Sequence, residues 1–416
     1  MGSFSTPLSG LTSAQQQLQA VSNNLANIDT DGYKSQTLTF SDIFLQTGRM
    51  NGSGDPVQIG SGVKVSSTDS NFTEGNLNAT NTASNMAISG NGFFVTQGTD
   101  GMQNFTRAGD FTTNNSGQLI TPSGELVLGY PAVNGVPNPS AALQPLQVSA
   151  VTSPAMASTS VGITVNLDSA TAAGGTAPSS PLTVFDALGS QHTLTVSYTK
   201  DPVAINTWSY TVTVPSADVT AGGTGNTTVG SGSLVFNGSG QLDTTNSTIG
   251  PISIPTLSDG AKAPLNLAGP FGTATNPTIT QSRMASATSA NTTDGYPSGT
   301  LSTFIVLPDG TINGTFTGGN TIALGQVAVA SFANNQGLTS TGNNNYQATA
   351  ASGQAVIGQA ATGGRGSIMG GNVEQSNVDI ATEFAKLIVA QQAYSANAKS
   401  ITTFNTLSQA TLAMIQ

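Results

Sequence analysis

Apolar residues recur at intervals of three and four positions near both ends of the chain. Near the N-terminus the stepped residues are Leu11, Ala14, Leu18, Val21, Leu25 and Ile28. Near the C-terminus the same steps run through Ile380, Phe384, Leu387, Gln391, Tyr394, Ala398, Ile401, Asn405, Ser408, Leu412 and Ile415. This spacing predicts two helices, each with a seam suited to packing against another helix.

The outer faces of both predicted helices lack charge. Residues 1–28 and 400–416 contain no Asp, Glu, Lys, Arg or His, whereas a solvated helix normally displays charged side chains. The seams are open to two interpretations, as core within one chain or as contacts between molecules. The uncharged outer faces favour contacts between molecules, so the helices are predicted to be assembly elements.

Local signals set the expected bounds of the two helices. Thr6 is the predicted N-cap of the first helix, with Pro7 at the first helical position. The turn signal Asp31-Gly32 predicts that this helix ends before it. The second helix is predicted from about Asp379 to Met414.

Between the helices the pattern changes to a period of two. Residues 193–199 and 208–214 alternate in this way, which predicts half-buried antiparallel strands. The segment 147–283 is rich in Ser, Thr, Gly and Pro and has its own strands and aromatic residues. It is predicted to be a domain inserted into a second β region.

The predicted fold class is mixed α+β. Long N- and C-terminal helices pair as a coiled-coil-like assembly domain, beside two mainly antiparallel β-domains, the outer one inserted in the inner one. The predicted parts are a terminal helical assembly domain (1–30 and 372–416), an irregular connecting segment (31–75 and 363–371), an inner β-domain (76–146 and 284–362) and an inserted outer β-domain (147–283).

The amino-acid composition argues against several classes of partner and covalent link. Charged residues make up 7% of the 416 residues, against about 25% in an average globular protein. The net charge of −10 argues against a nucleic-acid partner. No run approaches the roughly 20 apolar residues of a membrane span, so no membrane insertion is predicted. The absence of cysteine excludes disulfides.

Three stretches together resemble the bacterial flagellar rod and hook proteins, a family of axial structural proteins. They are Leu8–Lys34, the run Ser89–Val95 followed by Thr106–Phe111, and Gly371–Asn397. The motif residues within them are Asn24, Asn27, Gly32, Tyr33, Gly90, Gly92, Phe93, Ser376, Asn377, Asp379, Glu383, Gln391 and Asn397. One departure is Gln391-Gln392, where relatives often have Gln-Arg.

Within this family the inserted block is similar to that of hook proteins, because rod proteins generally lack a large insertion. The resemblance implies a subunit that self-assembles into a curved, flexible tube and transmits torque from basal body to filament. It implies contacts with the distal rod, hook cap and hook–filament junction proteins. It also implies an extracellular location on the flagellum and export by the flagellar type III apparatus without a cleaved signal peptide.

Two alternatives remain open: another axial component such as the distal rod protein, and a secreted β-rich adhesin. An enzyme is not predicted, because no acid–base or nucleophile constellation is recognisable. His192 is the only histidine and is interpreted as a residue at the start of a strand. Asp29–Gly32 is interpreted as a turn rather than a calcium loop. The sequence therefore predicts no catalytic residue, no metal ligand and no cofactor.

Overall fold

The computed structural model describes residues 4–43, 46–50, 56–149, 151–219, 223–273 and 276–414. The chain divides into two compact units. The first unit comprises Met1–Ser149, Thr303–Gly314 and Ile322–Gln416, and the second comprises Ala150–Ser302 and Thr315–Thr321. Most of the described structure is β-sheet, with a long helix near each end. This confirms the mixed character and the mainly antiparallel sheets of the predicted fold class.

The helices are α1 (Ser5–Ala26), α2 (Ser216–Val219) and α3 (Ile380–Ala413), and one turn of 3₁₀-helix covers Asn335–Gly337. The prediction that Thr6 caps α1 was wrong: Phe4 is the N-cap residue and makes no side-chain capping bond. Pro7 therefore lies within the first turn, where its missing N–H has no intrahelical partner to lose. At the other end Asp379 caps α3, since its Oδ1 accepts from the Thr382 N–H at 2.7 Å.

The strands follow in chain order. The first thirteen are β1 (Gln36–Asp42), β2 (Gln46–Met50), β3 (Pro56–Ile59), β4 (Val63–Ser70), β5 (Leu77–Ala79), β6 (Met86–Ser89), β7 (Phe93–Gln97), β8 (Gln103–Thr106), β9 (Thr112–Thr113), β10 (Leu119–Ile120), β11 (Leu126–Val133), β12 (Val136–Pro137) and β13 (Gln144–Pro145). The next fourteen are β14 (Thr152–Ser153), β15 (Val161–Asp168), β16 (Thr176–Phe185), β17 (Gln191–Lys200), β18 (Thr207–Pro215), β19 (Asn226–Val235), β20 (Thr248–Ile249), β21 (Ile252–Ile254), β22 (Leu265–Leu267), β23 (Gly272–Thr273), β24 (Asn276–Pro277), β25 (Ile279–Ser282), β26 (Ala287–Thr293) and β27 (Gly299–Val306). The last seven are β28 (Thr311–Phe316), β29 (Thr321–Ser331), β30 (Thr339–Gly342), β31 (Asn345–Gln347), β32 (Val356–Gln359), β33 (Ser367–Gly370) and β34 (Asn372–Glu374).

The main sheet of the first unit is covered on both faces. Its strands lie in the order β29, β11, β7, β8, β31 and β30, and each neighbouring pair is antiparallel. Along β7, Phe94 packs into one apolar cluster while Phe93 and Val95 pack into another. Because consecutive side chains of a strand point to opposite faces, this run of apolar residues places a core on each side of the sheet.

The second unit has one core shared by two sheets. One sheet contains β16, β17, β18, β19 and β20, and the other contains β25, β15 and β26. Every second residue of β17 and β18 is buried, as the alternation predicted. Trp208 is fully buried in this core, and its Nε1 donates to Gln281 Oε1 over 3.1 Å. The buried indole therefore has a hydrogen-bond partner, as burial of its polar N–H requires.

The structure continues the second unit beyond the predicted boundary at residue 283. Strand β26 pairs with β15 in register from Val161 opposite Thr293 to Asn166 opposite Ala287. A fragment that stops at residue 283 would lose this partner strand. The finer division of the first unit into helical, connecting and β parts stays a prediction.

We expect a fragment of residues 150–302 to unfold cooperatively and a fragment of residues 147–283 to be much less stable. Without β26, β15 loses its backbone hydrogen bonds to that strand, and the apolar side chains of β15 become more exposed to water. Urea unfolding followed by Trp208 fluorescence compares the two, because Trp208 is the only tryptophan of the chain. Equal midpoints for the two fragments would contradict the role given to β26.

Candidate functional site

The two long helices of the first unit lie side by side and run antiparallel. A Cβ built on Gly10 of α1 would lie 2.8 Å from Asn397 Oδ1 of α3. Further along α1, Asn24 Nδ2 donates to Glu383 Oε2 over 3.1 Å. The two contacts are separated by the same number of residues on α1 and on α3. The two helices therefore remain side by side over about 20 Å. Gly10 permits the close approach because any side chain there would meet Asn397.

The N-terminal seam faces the interior of its unit. Ala14 and Val21 are buried, and the other seam residues are partly buried: Leu11, Leu18, Leu25 and Ile28. Ile28 lies beyond the end of α1. The helix contacts α3 on one side and the β1–β4 ribbon on another. These contacts lie within one chain, so a role of the N-terminal seam between molecules stays a prediction.

On α3 the predicted seam divides into two groups. Leu387 and Ile401 are partly buried. The exposed members are Ile380, Phe384, Gln391, Tyr394 and Leu412. Ile415 lies outside the described residues. The fully buried positions of α3 are instead Glu383 and Ala390, so the face toward the interior is rotated from the predicted one.

The rotation has a physical reason in the composition of α3. Large apolar side chains also occupy its other faces, for example Ile388 and Val389, which are 57% and 63% exposed. Periodicity alone therefore cannot select one face. Close packing at Gly10 selects the face with the small Ala390 and the short Asn397.

A buried charge cluster lies near the base of the helix pair. Glu374 of β34 is completely buried; its Oε1 lies 2.5 Å from Lys34 Nζ and its Oε2 lies 3.2 Å from Arg107 Nη1. Lys34 follows α1 and Glu374 precedes α3, so the pair joins the two ends of the chain. Glu374 Oε1 also accepts from the Gly75 N–H at 2.9 Å.

Further acceptors support the two buried cations. Lys34 Nζ donates to the Thr73 carbonyl at 2.7 Å. Arg107 donates to the carbonyls of Ile88 and Gly90 at 2.9 and 2.5 Å, and its guanidinium lies 5.7 Å from the centre of the Phe93 ring. Burial lowers the pKa of Lys34 and the pKa of Arg107, and the Glu374 carboxylate opposes both shifts. The carboxylate is therefore what keeps both cations charged in a dry interior.

A second network connects α1 with the start of α3. The Asn24 side chain is bonded to both backbone groups of Gln36, at 2.9 Å each, and to Glu383. The Tyr33 hydroxyl donates to Asn24 Oδ1 over 3.1 Å. Burial, together with the charge of Glu383, raises the pKa of Tyr33, so this hydroxyl remains protonated. Lys386 Nζ lies 2.7 Å from Glu383 Oε1.

Other motif residues bind backbone groups near these networks through their side chains. Asn377 Oδ1 accepts from the Ser35 N–H at 2.8 Å, and its amide donates to the Asn71 carbonyl at 2.7 Å. Ser376 Oγ lies 3.4 Å from the Val378 nitrogen, and Asn27 bonds back to the Asn23 carbonyl after α1.

Glycines of the motif fill places where a side chain does not fit. Gly32 has φ +70° and a Cβ there would lie 2.4 Å from the Ala108 nitrogen. At Gly92, with φ +137°, a Cβ would meet Val329. Gly90 has φ +101°. These positions hold the segment after α1 and the start of β7 against their neighbours.

Lys34, Arg107 and Glu374 lie inside the motif stretches but were not singled out from the sequence. One signal was available: the chain has 10 Lys and Arg and 20 Asp and Glu among 416 residues. In such a chain, a Lys or Arg within a family motif is a candidate for a buried structural role.

His192 lies at the start of β17, as the sequence predicted, and its ring has two acidic neighbours. His192 Nε2 lies 3.1 Å from Asp186 Oδ2, and Nδ1 lies 3.2 Å from Asp218 Oδ2. Both ring nitrogens therefore face carboxylates rather than a hydroxyl nucleophile, which is not the arrangement of a catalytic triad. The helices in the described part of the chain are too short or too polar to span a bilayer.

Substituting Glu374 with alanine is expected to destabilise the first unit by about 3–5 kcal/mol, because two buried cations lose their counter-ion. Far-ultraviolet circular dichroism during urea unfolding measures the loss. Trp208 fluorescence reports the second unit and should keep its midpoint. Asp42→Asn is the control: Asp42 is an exposed carboxylate of the same unit outside the cluster, and its loss should change stability by less than about 1 kcal/mol. An unchanged unfolding curve for Glu374→Ala would contradict the importance of the cluster.

Known families match most of this chain. The matching profiles are described as "Flagella basal body rod protein" over residues 4–34, "Flagellar hook protein FlgE/F/G D1 domain" over 87–168, "Flagellar basal body protein FlaE D2 domain" over 157–296 and "Flagellar basal body rod FlgEFG protein C-terminal" over 369–414. The four matches follow the order of the chain. They include Glu374 and Asn24, the centres of the two networks of the first unit, and most of the second unit.

Individual relatives align over nearly the full length. The flagellar hook protein FlgE of Salmonella typhimurium is 33% identical over 424 residues, covering 96% of this chain and 97% of that protein. That of Treponema pallidum is 32% identical over 467 residues, covering 100% and 99%. The crystal structure of Helicobacter pylori flagellar hook protein FlgE2 has a TM-score of 0.51 at 15% identity and covers 72% of this chain and 100% of that chain, which shows likeness of fold alone.

Proposed function

The chain belongs to the bacterial flagellar hook protein family, and we propose that it polymerises with copies of itself into the tube of the hook. It is a structural subunit of the flagellar hook and not an enzyme. Its place is the hook of the bacterial flagellum. The mode of polymerisation is the proposal developed from the terminal helices.

One observation carries this proposal: α3 bears large apolar side chains on several faces, and much of it is exposed. Beyond the faces already described, Leu407 and Leu412 are 61% and 64% exposed. No charged residue occurs after Lys399. Exposed apolar side chains that lie together mark surfaces that contact other protein, so this surface of α3 is suited to cover by other protein.

A single copy of α1 cannot supply that cover. Helix α1 has 22 residues and α3 has 34. The ring of Phe4, at the start of α1, contacts the ring of Phe404 with centroids 5.9 Å apart. From residue 402 to residue 414 all described side chains of α3 are exposed. We infer that equivalent helices of neighbouring subunits cover this end in a coiled-coil-like arrangement.

In this proposal the predicted parts have separate tasks. The terminal helices (1–30 and 372–416) form the assembly domain, which carries torsion along the tube. The segments 31–75 and 363–371 connect it to an inner β-domain (76–146 and 284–362). The outer block, predicted at 147–283, is inserted there and changes its contacts with neighbours as the curved tube rotates.

The resemblance to hook proteins supports further proposals on partners. We propose that the ends of the polymer meet the distal rod protein, the hook cap and the hook–filament junction proteins. We also propose delivery through the flagellar type III export apparatus without a cleaved signal peptide. The absence of cysteine supports this route, since no disulfide has to form before or after passage.

Exposed residues of α3 give the sharpest test of assembly. Ile388→Asp and Leu412→Asp each place a carboxylate on a surface that becomes dry only in the polymer, at a cost of several kcal/mol per contact. Both residues are more than half exposed, so the melting temperature of the monomer should stay unchanged. Electron microscopy should show no hooks, and motility should be lost.

Matched variants control for the position itself. Leu412→Met and Ile388→Leu keep the apolar surface and should form normal hooks. Leu18 and Ile401 are less suitable, because both are partly buried within the subunit and their loss would disturb α1 and α3 directly. Normal hooks from both aspartate variants would rule out α3 as an assembly surface.

A further inference from the structure

The second unit holds a mixed group of titratable side chains that hook assembly does not use. At its centre is His192, the only histidine of the chain, which is 5% exposed at the start of β17. Asp186 lies on one side of the ring and Asp218 on the other. One donor oxygen each from Asp186 and Asp259 and one ring nitrogen of His192 all lie within 4.8 Å of one another.

Asp186 is held in a fixed orientation. It follows β16 directly and is completely buried. Its Oδ1 accepts from the N–H groups of Leu188 and Ser190, at 2.8 and 2.9 Å. The second oxygen, Oδ2, is thereby directed at His192 Nε2, 3.1 Å away. This oxygen receives no backbone bond in the described structure.

Asp218 fixes the other side of the ring. Its Oδ2 lies 3.2 Å from His192 Nδ1. In the tautomer with the proton on Nδ1, this N–H is donated to Asp218, and Nε2 keeps a lone pair beside Asp186 Oδ2. Both atoms are then available as ligands for one cation that lies to the side of the line joining them. A histidine that ligates a metal commonly donates its other ring N–H to a carboxylate in this way.

The negative charge of the group also favours the binding of a cation. Three carboxylates surround one imidazole: Asp186, Asp218 and Asp259. Within the described ranges, no Lys or Arg nitrogen lies within 4.0 Å of these carboxylates, and His192 is the sole ion-pair partner of Asp186 and Asp218. Even an imidazolium would neutralise only one of the three negative charges.

We propose that Asp186, His192 and Asp259 bind one divalent transition-metal ion, of which zinc is the probe of choice, with Asp218 orienting the imidazole. The spacing suits such an ion. With metal–ligand bonds of about 2.0–2.2 Å in a tetrahedral arrangement, neighbouring donors lie about 3.3–3.6 Å apart. Nε2 and Asp186 Oδ2 are 3.1 Å apart, so they need to separate only slightly to bind the ion. A nitrogen donor favours zinc and related ions over calcium or magnesium.

Binding would join three separate segments of the second unit. They are the turn after β16, the start of β17 and the loop that carries Asp259. Asp259 is exposed, so the ion can enter from solvent and keep a water ligand on that side. An ion that binds the folded unit and not the unfolded chain stabilises it by mass action.

The test uses the tag-free full chain and zinc chloride in isothermal titration calorimetry. One ion per chain should bind with a dissociation constant in the micromolar range or below, and excess zinc should raise the melting temperature read by Trp208 fluorescence. Because the chain has one histidine and no cysteine, no other imidazole or thiolate competes. Cobalt(II) should give a visible absorption band that the loss of His192 abolishes.

Variants of the proposed ligands distinguish zinc binding at this site from adventitious zinc binding elsewhere. Asp259→Asn removes an exposed ligand without disturbing the core and should weaken zinc binding at least tenfold. Asp218→Asn should weaken it about 10–100-fold by releasing the imidazole. Asp201→Asn is the matched control, a partly exposed aspartate in the same unit outside the group, and should bind zinc as the original chain does.

Two results would overturn the proposal. One is the absence of saturable binding of one zinc ion per chain up to about 1 mM, where an ion contributes only about 4 kcal/mol of binding free energy. The other is equal zinc affinity of Asp259→Asn and the original chain. In either case the group is a hydrogen-bonded histidine between carboxylates and not a metal site. Neither result affects hook assembly, which depends on residues of the first unit.

Discussion

The carboxylate of Glu374 neutralises Lys34 and Arg107 in the interior of the first unit, where none of the three side chains is more than 3% exposed. Removing two cations from water is costly, and only a well-placed counter-ion with additional acceptors makes it tolerable. Lys34 belongs to the segment after α1, Arg107 to the segment after β8 and Glu374 to the strand before α3. The ion pairs therefore fix where both long helices leave the β-sheet, and the antiparallel contact of α1 and α3 depends on that geometry.

This constraint explains the distribution of charge in the first unit. Four charged residues of the motifs lie inside, in two networks: Lys34, Arg107, Glu374 and Glu383. The exposed surface of α3 beyond Lys386 carries a single charge, that of Lys399. The proposed packing of copies against one another is compatible with this arrangement, because each charge carried into a dry contact would need a partner there.

The second unit is held together mainly by an apolar core rather than by buried ion pairs. Its core comes from alternating strands whose inward side chains form one cluster around Trp208, and His192 lies on the same buried face of β17 as Leu194 of that cluster. A unit of this kind tolerates variation in its loops, because the alternation of β17 and β18 maintains the core. The carboxylates around His192 are placed by a turn, a short helix and a loop rather than by sheet register.

Local signals in the sequence determined the elements of this protein. Helical periodicity placed the start of α3 near Asp379, the alternation placed β17 and β18, and the motif residues indicated the family. Only the tertiary structure decided which face of α3 meets α1, because large apolar residues on several faces give periodicity no preferred direction. It alone paired Lys34 with Glu374 across 340 positions and brought Asp218 to His192. Capping and alternation act between residues a few positions apart and can be read in sequence order, whereas these pairings depend on the folded path of the backbone.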